Sequence, residues 1–410
     1  MSTAPTKLWN VQFIKFIIGW ELSLIATTLI RFALPLSILL ETGDSQLMGA
    51  VMAFSSVPLI LLTPIGGAIA DRFNKRKVLV SFNLLTAVFT AGFVLVSGYI
   101  QLVSGALVLM MLLFALDSML SPAYESSAPL LVPTEELIKA NSLTFMFSLA
   151  SGVLAPVLGG FIIYHRGLNA VLVVSVSLYT LAAVVKMLTR IPHTPSEASG
   201  KIVADLLRDL KQAVVYASRD NLLIKKILTL MFLYSVLLAP AATVGLSVLF
   251  TQHLGVGEEL VGMGQGVAMF GGVVSSMLLI KLGNRVGAQS IRLLFVISAL
   301  MFVPMGLVLL IDTSVNIQLA VLAGSLSLSM GAAAMFGAVA FTVMGTKTSE
   351  HMVGKVMSLA LALMSLGVAV GSYVYGFLFG QFEQSPASVL FIVGVVYLIV
   401  ALFAKIGKQA

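Results

Sequence analysis

Long apolar runs alternate with short polar turns along almost the whole chain. A helix that crosses a membrane needs about 20 predominantly apolar residues. Turn-forming residues separate the runs, as at 41–44, 312–314 and 384–386. Apolar runs of suitable length lie at residues 13–39, 46–69, 78–98, 103–121, 138–163, 168–188, 226–250, 260–280, 291–311, 317–341, 356–379 and 388–404. The pattern predicts an all-α membrane protein with twelve transmembrane helices.

The composition indicates that lipid is the main solvent of the chain. Of its 410 residues, 59% are hydrophobic and 10% are charged, whereas soluble domains carry about 25% charged residues. Too few polar groups remain to cover a water-facing surface, so the composition excludes a soluble enzyme. The absence of cysteine excludes disulfides and thiolate chemistry. The four histidines, at 165, 193, 253 and 351, lack the spacing of metal ligands, and we expect no metal and no cofactor.

Basic residues are distributed unevenly between alternate loops. With the N-terminus in the cytoplasm, Arg166 alone of the 24 Lys and Arg residues falls in an outer loop, and Arg31 lies within the first helix. The other 22 lie on the cytoplasmic side, where membrane proteins carry an excess of Lys and Arg. This asymmetry predicts that both termini are cytoplasmic. It also accounts for the net charge of +7, so we expect no nucleic-acid partner.

A polar stretch at 189–224 divides the runs into two sets of six. Its first part is rich in Pro, Ser and Gly, which is typical of a linker. Farther along, apolar residues recur at helical spacing opposite charged ones, which predicts an amphipathic helix on the inner membrane surface. The apolar positions are Ile202, Val203, Leu206, Leu207, Leu210 and Val214. We expect six-helix bundles at 1–188 and 225–410, joined by a cytoplasmic linker at 189–224.

The two halves show weak sequence similarity to each other. Asp71-Arg72 follows the second run, and Asn284-Arg285 follows the eighth, 213 positions later. Two pseudo-symmetric halves around a central site are typical of secondary transporters that work by alternating access. The repeat therefore predicts a transporter of this architecture.

The loop after the second run resembles a signature of the major facilitator superfamily. It reads Gly67-x-x-x-Asp71-Arg72-x-Asn74-Lys75-Arg76, with asparagine where glycine is usual. Within that superfamily the chain is similar to a drug–proton antiporter branch that includes bacterial macrolide-efflux and enterobactin-export proteins. This similarity rests on the loop and on the stretches at 33–43, 128–133 and 140–143. The resemblance implies the major facilitator fold, a monomer, and a multi-pass location in the inner membrane of a bacterium.

The resemblance also implies roles for two sets of residues. Asp71, Arg72, Lys75 and Asp117 match a conformational latch, in which Asp117 pairs with Lys75 near the inner surface. Ala155, Pro156, Gly159 and Gly160 match the antiporter motif of the fifth helix, with Ala155 in place of a glycine. Met110 stands near the place where many proton-coupled relatives carry an arginine in the fourth helix.

Two charged residues, Glu21 and Arg31, lie deep in the first predicted helix. Charges at such depth are costly and usually face a cavity or a partner. Ten residues separate them, or about 15 Å along a helix, so they cannot pair directly. Their directions differ by about 80°, so both can face one cavity. We interpret Glu21 as a proton or cation-substrate site and Arg31 as an anion or gating site; the alternative is structural pairing with polar groups on other helices.

Several functions remain open from the sequence. The first is export of amphipathic small molecules, such as drugs, macrolide-like compounds or siderophores, in exchange for protons. The second is a lipid or lysophospholipid carrier, or an uncoupled facilitator of the same fold. A membrane-embedded enzyme needs clustered catalytic groups, which the spans lack, and no ATP-binding Walker loop occurs. Candidate cavity-lining residues are Trp20, Met231, Tyr234, Gln265, Phe270 and Tyr373.

Overall fold

A computed structural model of the chain describes residues 8–192, 202–282 and 287–404, and all regular structure in these ranges is helical. The first half contains α1 (Val11–Thr42), α2 (Ser45–Ser55), α3 (Val57–Arg72), α4 (Lys75–Val96), α5 (Leu102–Glu125) and α6 (Leu137–Met187). The linker helix is α7 (Ile202–Val215). The second half contains α8 (Leu222–Leu237), α9 (Leu246–Val248), α10 (Glu258–Leu282), α11 (Ile291–Val308), α12 (Val315–Lys347), α13 (Glu350–Gln381) and α14 (Pro386–Phe403).

The helices confirm the predicted twelve-span architecture. Eleven helical segments in the described ranges are long and apolar enough to cross a membrane. One of them, Thr134–Met187, has 54 residues, or about 80 Å of helix, which is more than twice the thickness of a hydrocarbon core. Within it α6 breaks at Gly167, where φ is 75° and ψ is 177°. Gly167 therefore separates two crossings, at the turn predicted between the fifth and sixth spans.

Proline interrupts two of the predicted spans. The second span is divided at Ser56 into α2 and α3, and Pro58 stands in the first turn of α3, where its missing N–H costs least. The seventh span continues from α8 past Pro240 into two π-helical turns, Ala241–Gly245 and Leu249–His253, on either side of α9. π-Helical turns are rare in proteins, and those that occur are often found at functional sites.

The chain divides into two compact units that do not follow strict chain order. The first comprises Met1–Ser37 and Phe54–Asp205, and the second comprises Ile38–Ala53 and Leu206–Ala410. In the second unit, Ser45 Oγ donates to Gly376 O at 3.0 Å. A Cβ atom on Gly49 would lie 2.3 Å from Ser372 O, so α2 and α13 pack backbone to backbone. The sequential domain boundaries at 188 and 225 stay a prediction.

The first unit has an apolar core around the N-terminal end of α1. Phe16 stacks on Tyr124 with ring centroids 4.5 Å apart. Close packing of α3 on α5 depends on Gly66, because a Cβ there would lie 2.2 Å from Ser118 O. The buried core residues are Leu8, Phe13, Phe16, Ile17, Ala70, Val78, Leu79, Leu120, Ala123, Tyr124, Ala128, Leu131, Val132 and Ala140.

From Leu206 onward the linker helix α7 belongs to the second unit, and its predicted place on the membrane surface stays a prediction. Asp209 forms an ion pair with Lys355 at 2.8 Å, and Gln212 accepts a hydrogen bond from the same lysine. Asn221 Nδ2 donates to Lys347 O at 3.0 Å. Val214, on the predicted apolar face, is exposed. The predicted linker residues 193–201 lie outside the described ranges, as do the side chains of 202–207.

We predict that Gly271→Ala lowers the stability of the second unit. A Cβ at this position would lie 1.7 Å from Ser327 O, so α10 and α12 would have to separate. Overpacking of this kind costs roughly 1–3 kcal/mol. The neighbouring Gly272→Ala is a matched control, because its nearest atom would be 3.9 Å away. Thermal unfolding in detergent should show a lower melting temperature for Gly271→Ala alone; equal melting temperatures would contradict this packing.

Candidate functional site

Polar side chains form a stripe along one face of α1. Trp20, Ser23, Thr27 and Arg31 are spaced at i, i+3, i+7 and i+11, which places them on the same side of the helix. The Thr27 and Tyr179 hydroxyl groups form a hydrogen bond of 2.8 Å. The stripe therefore contacts the second half of α6 through side-chain hydrogen bonds.

The most deeply buried charged side chain in the described ranges is Lys186, which is 1% exposed. Its Nζ donates to Ser23 Oγ at 2.9 Å. Ser23 Oγ also accepts from Asn83 Nδ2 at 3.0 Å and donates to Gly19 O at 2.9 Å. The stem of Lys186 lies beside Gly19, where a Cβ would be 2.9 Å from the lysine Cγ. α1, α4 and α6 together build this site.

Sequence analysis placed Lys186 among the cytoplasmic basic residues and missed its burial. The residue lies in the last turn of α6, where basic side chains normally reach toward water. Here the side chain turns inward, and its Nζ lies 5.5 Å from the centre of the Trp20 ring. Trp20 in turn stacks on Tyr124 at 3.7 Å. The available signal was the polar pair Asn83 and Ser23 inside apolar runs.

Arg31 forms an ion pair with Asp117 at 2.9 Å. Its guanidinium group also lies 4.0 Å from the centre of the Phe114 ring. The expected pairing of Asp117 with Lys75 is not found, because Lys75 Nζ donates to Ala70 O at 3.0 Å. The physical reason is the length of α5. It continues to Glu125, so Asp117 lies eight residues, about 12 Å, before its end.

Glu21 is held by the first half of α6. Its Oε2 accepts a hydrogen bond from Ser151 Oγ at 2.7 Å. Its Oε1 is buried and accepts no hydrogen bond of normal geometry among the described residues, while the Ser148 hydroxyl group lies near the same carboxyl group. Glu21 and Arg31 make no ion pair with each other in the described part of the chain, as their spacing predicted. A carboxyl group with one unpartnered oxygen is a site at which a proton or a cationic group can bind.

A small cavity with both apolar and polar lining residues lies among α1, α4, α5 and α6. Its volume is about 20 Å³, which is enough for about one water molecule. Asp117 and the Tyr179 hydroxyl group border the same space as Ser23 and Asn83. The lining residues are Trp20, Ser23, Leu24, Thr27, Asn83, Thr86, Leu113, Asp117, Leu120 and Tyr179. The cavity therefore lies between the Ser23–Lys186 bond and the Arg31–Asp117 pair.

The predicted motif residues of the fifth span pack against α1. Ala155 is fully buried, and Pro156 lies inside α6. A Cβ on Gly159 would lie 2.7 Å from the Phe32 ring, one residue beyond Arg31. Gly160 is buried on the same helix. The motif thus provides close packing beside the half-buried Arg31, and its role in exchange stays a prediction.

The predicted latch residues of the α3–α4 loop are only partly described. Arg72 is exposed in the last turn of α3. Asn74, which replaces the usual glycine, caps α4 by accepting from Lys77 N at 3.2 Å. The side chain of Asp71 lies outside the described residues. The latch function of Asp71, Arg72 and Lys75 stays a prediction.

The second unit contains a larger and mostly apolar recess of about 380 Å³. Met231 and Tyr234 line it, as expected, and the Tyr234 hydroxyl group is hydrogen-bonded to Ser298 at 2.7 Å. The remaining lining residues, none of them charged, are Ser235, Leu238, Ala239, Met330, Ala333, Phe336, Gly337, Leu361, Met364, Ser365 and Val368.

Three predicted cavity residues of the second unit lie outside this recess. Gln265 is buried, and its amide donates to Thr243 O at 3.3 Å and to Ser247 Oγ at 3.1 Å. Its side chain is therefore hydrogen-bonded to the π-helical region and does not line the recess. Phe270 and Tyr373 are 53% and 41% exposed. Periodicity does not reveal which side of a wholly apolar helix is buried, and the cavity-lining roles of Gln265, Phe270 and Tyr373 stay predictions.

Membrane-length helices in two units, with buried charges in one and an apolar recess in the other, define a polytopic membrane transporter. The chain belongs to the Major Facilitator Superfamily, whose family model matches residues 18–345. This match confirms the resemblance drawn from the α3–α4 loop.

The relatives include exporters at low sequence identity. Macrolide efflux protein A of Streptococcus pyogenes is 22% identical over 185 residues, which cover 45% of this chain and 46% of that protein. The chain spans about half the length of the macrolide efflux relatives it matches. The enterobactin exporter EntS of Salmonella choleraesuis is 23% identical over 361 residues, covering 87% of this chain and 82% of that protein.

Solved structures confirm the fold. A mutant form of the peptide transporter POT in complex with sulfate aligns with a TM-score of 0.78 and 15% identity, covering 96% of this chain and 93% of that one. A bacterial homologue of the iron transporter ferroportin aligns with a TM-score of 0.70 and 17% identity, covering 96% and 98%. At these identities the likeness concerns the fold alone.

We predict that Asp117 is energetically coupled to Arg31 and not to Lys75. In a double-mutant cycle, Arg31→Gln and Asp117→Asn should be non-additive by roughly 0.5–3 kcal/mol, as expected for residues in contact. The control cycle, Lys75→Gln with Asp117→Asn, should be additive within about 0.5 kcal/mol. Free energies of unfolding from detergent titrations measure both. Coupling in the Lys75 cycle alone would contradict the observed pairing.

Proposed function

We propose that this protein exports amphipathic small molecules across the membrane in exchange for protons, by alternating access. The observation that carries the proposal is Glu21, an acid inside α1 with one carboxyl oxygen bound to Ser151 and the other unpartnered. An ionisable group in a transmembrane segment marks an ion or proton pathway by default.

The chemistry of exchange follows from the environment of this carboxyl group. Low-dielectric surroundings favour the neutral form of a carboxyl group, and an approaching cation favours the charged form. A proton and a cationic or polar part of a substrate therefore compete for the same oxygens. Ser151 holds Oε2 in place, so Oε1 is the atom at which this competition would occur.

The apolar recess of the second unit supports the proposal that the apolar part of the substrate binds there. Methionine side chains are flexible and polarizable, and surfaces rich in them adapt to varied ligands. Met231, Met330 and Met364 line the recess, and Tyr234 and Phe336 add aromatic surface. A drug-like, macrolide-like or siderophore-like molecule has apolar parts that such a recess accommodates.

Export, as opposed to uptake, is supported by what the relatives are called. One relative is a macrolide efflux protein and another is an enterobactin exporter. We further propose that the chain lies in the inner membrane of a bacterium with cytoplasmic termini, as the distribution of Lys and Arg predicts, and that it acts as a monomer without a cofactor. The driving force would be the proton gradient.

The first test of this function is Glu21→Gln. Substitution by an amide removes the exchangeable proton and keeps the shape, so export driven by a pH gradient should fall to the level of protein-free vesicles. Everted vesicles energised by a pH gradient, with ethidium and erythromycin as probes, measure this. The exposed Glu41→Gln, on the same helix, is the matched control and should transport normally.

Two outcomes would reject the coupling role of Glu21. Undiminished gradient-driven export by Glu21→Gln is one of them. Export that persists in the parent after the gradient is collapsed is the other, and it would favour an uncoupled facilitator. Size-exclusion chromatography of each variant establishes that the protein is folded.

A second prediction concerns the recess. Gly337→Leu should fill it, because the site of the added Cβ has no atom within 4 Å and lies on the lining. We expect about a tenfold rise in the half-saturating probe concentration, equivalent to about 1.4 kcal/mol. Gly324→Leu, on the same helix and equally open but not part of the lining, should leave it unchanged. Equal effects of both substitutions would rule out the recess as a binding site.

A further inference from the structure

We propose that the Lys186 amine is a second proton-binding site of the first unit, one that gains and loses a proton inside the protein. The proposal goes beyond the proposed function, because it requires neither a substrate nor Glu21. It rests on how the site is built, on which charges face it and on the cavity next to it.

The residues described around Lys186 enclose its side chain almost completely. Gly19 leaves room for its stem, and any larger residue would displace it. Ser23 Oγ is within hydrogen-bond distance of Nζ, and the face of Trp20 lies beside it. A basic residue that only anchors a helix end extends its amine to water, whereas this amine is 1% exposed. The enclosure indicates a role for the amine inside the protein.

The hydrogen-bonding inventory of the site suits a neutral amine as well as an ammonium. An ammonium group has three N–H donors, and Ser23 Oγ is the one acceptor recorded for it among the described residues. A neutral amine has two donors and a lone pair. The site therefore does not require the charged form, as a site with several acceptors would.

No carboxylate oxygen forms an ion pair with Lys186 Nζ within the described part of the chain. The acid across the cavity, Asp117, acts on the amine through its charge but is paired with Arg31. Glu21, next to Trp20 on α1, is bonded to Ser151. A buried charge without a counter-ion is costly. Nearby titratable or charged groups are Lys15 and Glu21 on α1, Asp117 and Tyr124 on α5, Tyr179 on α6, and Arg31 within its ion pair.

The small cavity provides a route for the proton. Ser23, which binds Lys186, lines it together with Asp117 and Tyr179, and there is room for about one water molecule. A proton binds the lone pair of Nζ to form the ammonium and leaves by breaking the same N–H bond. It moves through the Ser23 hydroxyl group or a water molecule in the cavity. In this relay the hydroxyl group or water gains one proton and releases another, so that its O–H bonds are restored when the transfer is complete.

The test uses the tryptophan beside the amine. The chain has two tryptophans, and Trp9 is exposed, so Trp9→Phe leaves Trp20 as the sole indole. A pH titration of its fluorescence, in purified protein in nanodiscs without substrate, reports the charge on Lys186. In this background we compare Lys186→Met, which is always neutral, with Lys186→Arg, which is always charged. Lys15→Met and Glu21→Gln are controls for the neighbouring charges.

We expect the emission of the Trp9→Phe protein to follow a single-site pH curve. Emission of Lys186→Met should be flat and match the high-pH limit, and emission of Lys186→Arg should be flat and match the low-pH limit. The curve should persist in Lys15→Met and in Glu21→Gln. A flat parent, or a curve that persists in Lys186→Met, would overturn the proposal. The Glu21 role in transport is untouched by either result.

A second measurement observes Lys186 itself in the parent protein and uses a variant only to assign its signal. In protein labelled with 13C at lysine Cε, the resonance of Lys186 is identified by its loss in Lys186→Arg. We expect this resonance to move with pH at values where the exposed lysines remain unchanged. If it moves together with the exposed lysines, Lys186 is an ordinary ammonium group and the proposal fails.

Discussion

Charged groups are costly to place among helices that are solvated by lipid. The rest of the structure depends on this constraint. Backbone groups are satisfied within the helices, but a side-chain charge needs a partner supplied by another helix. Arg31 finds one in Asp117 and in the face of Phe114. For Glu21, Ser151 donates a hydrogen bond to one of the two carboxyl oxygens. The groups left with incomplete partners are the ones that can exchange protons or bind substrate.

The same constraint explains how the first unit is assembled. Its polar stripe on α1 is matched by Asn83 on α4, Asp117 on α5 and Lys186 on α6. Glycine at position 19 makes space for a cation, and Gly159 brings α6 close to Phe32. Polar contacts and close backbone packing thus fix the same helices. The described residues that line the recess of the second unit carry no charge and pack through apolar contacts.

Much of this architecture could be predicted from the sequence. Twelve spans and the turn at Gly167 followed from the apolar runs, because a span has a fixed minimum length. Glu21 and Arg31 stood out because charge is rare inside such runs. The partner of Asp117 did not follow, since α5 continues past Pro122 to Glu125 and Asp117 lies farther from its end than the predicted span implied. Lys186 was misjudged for a similar reason: at a span end, sequence alone does not show whether a side chain turns inward or outward.

In the proposed function, proton movement and substrate movement are linked. The most direct measurement follows protons in proteoliposomes that contain a trapped pH indicator and have no imposed pH gradient. Addition of erythromycin or ethidium to one side should drive a counter-flow of protons, and Glu21→Gln should abolish it. Probe transport by the parent protein with no accompanying proton flow would contradict the account.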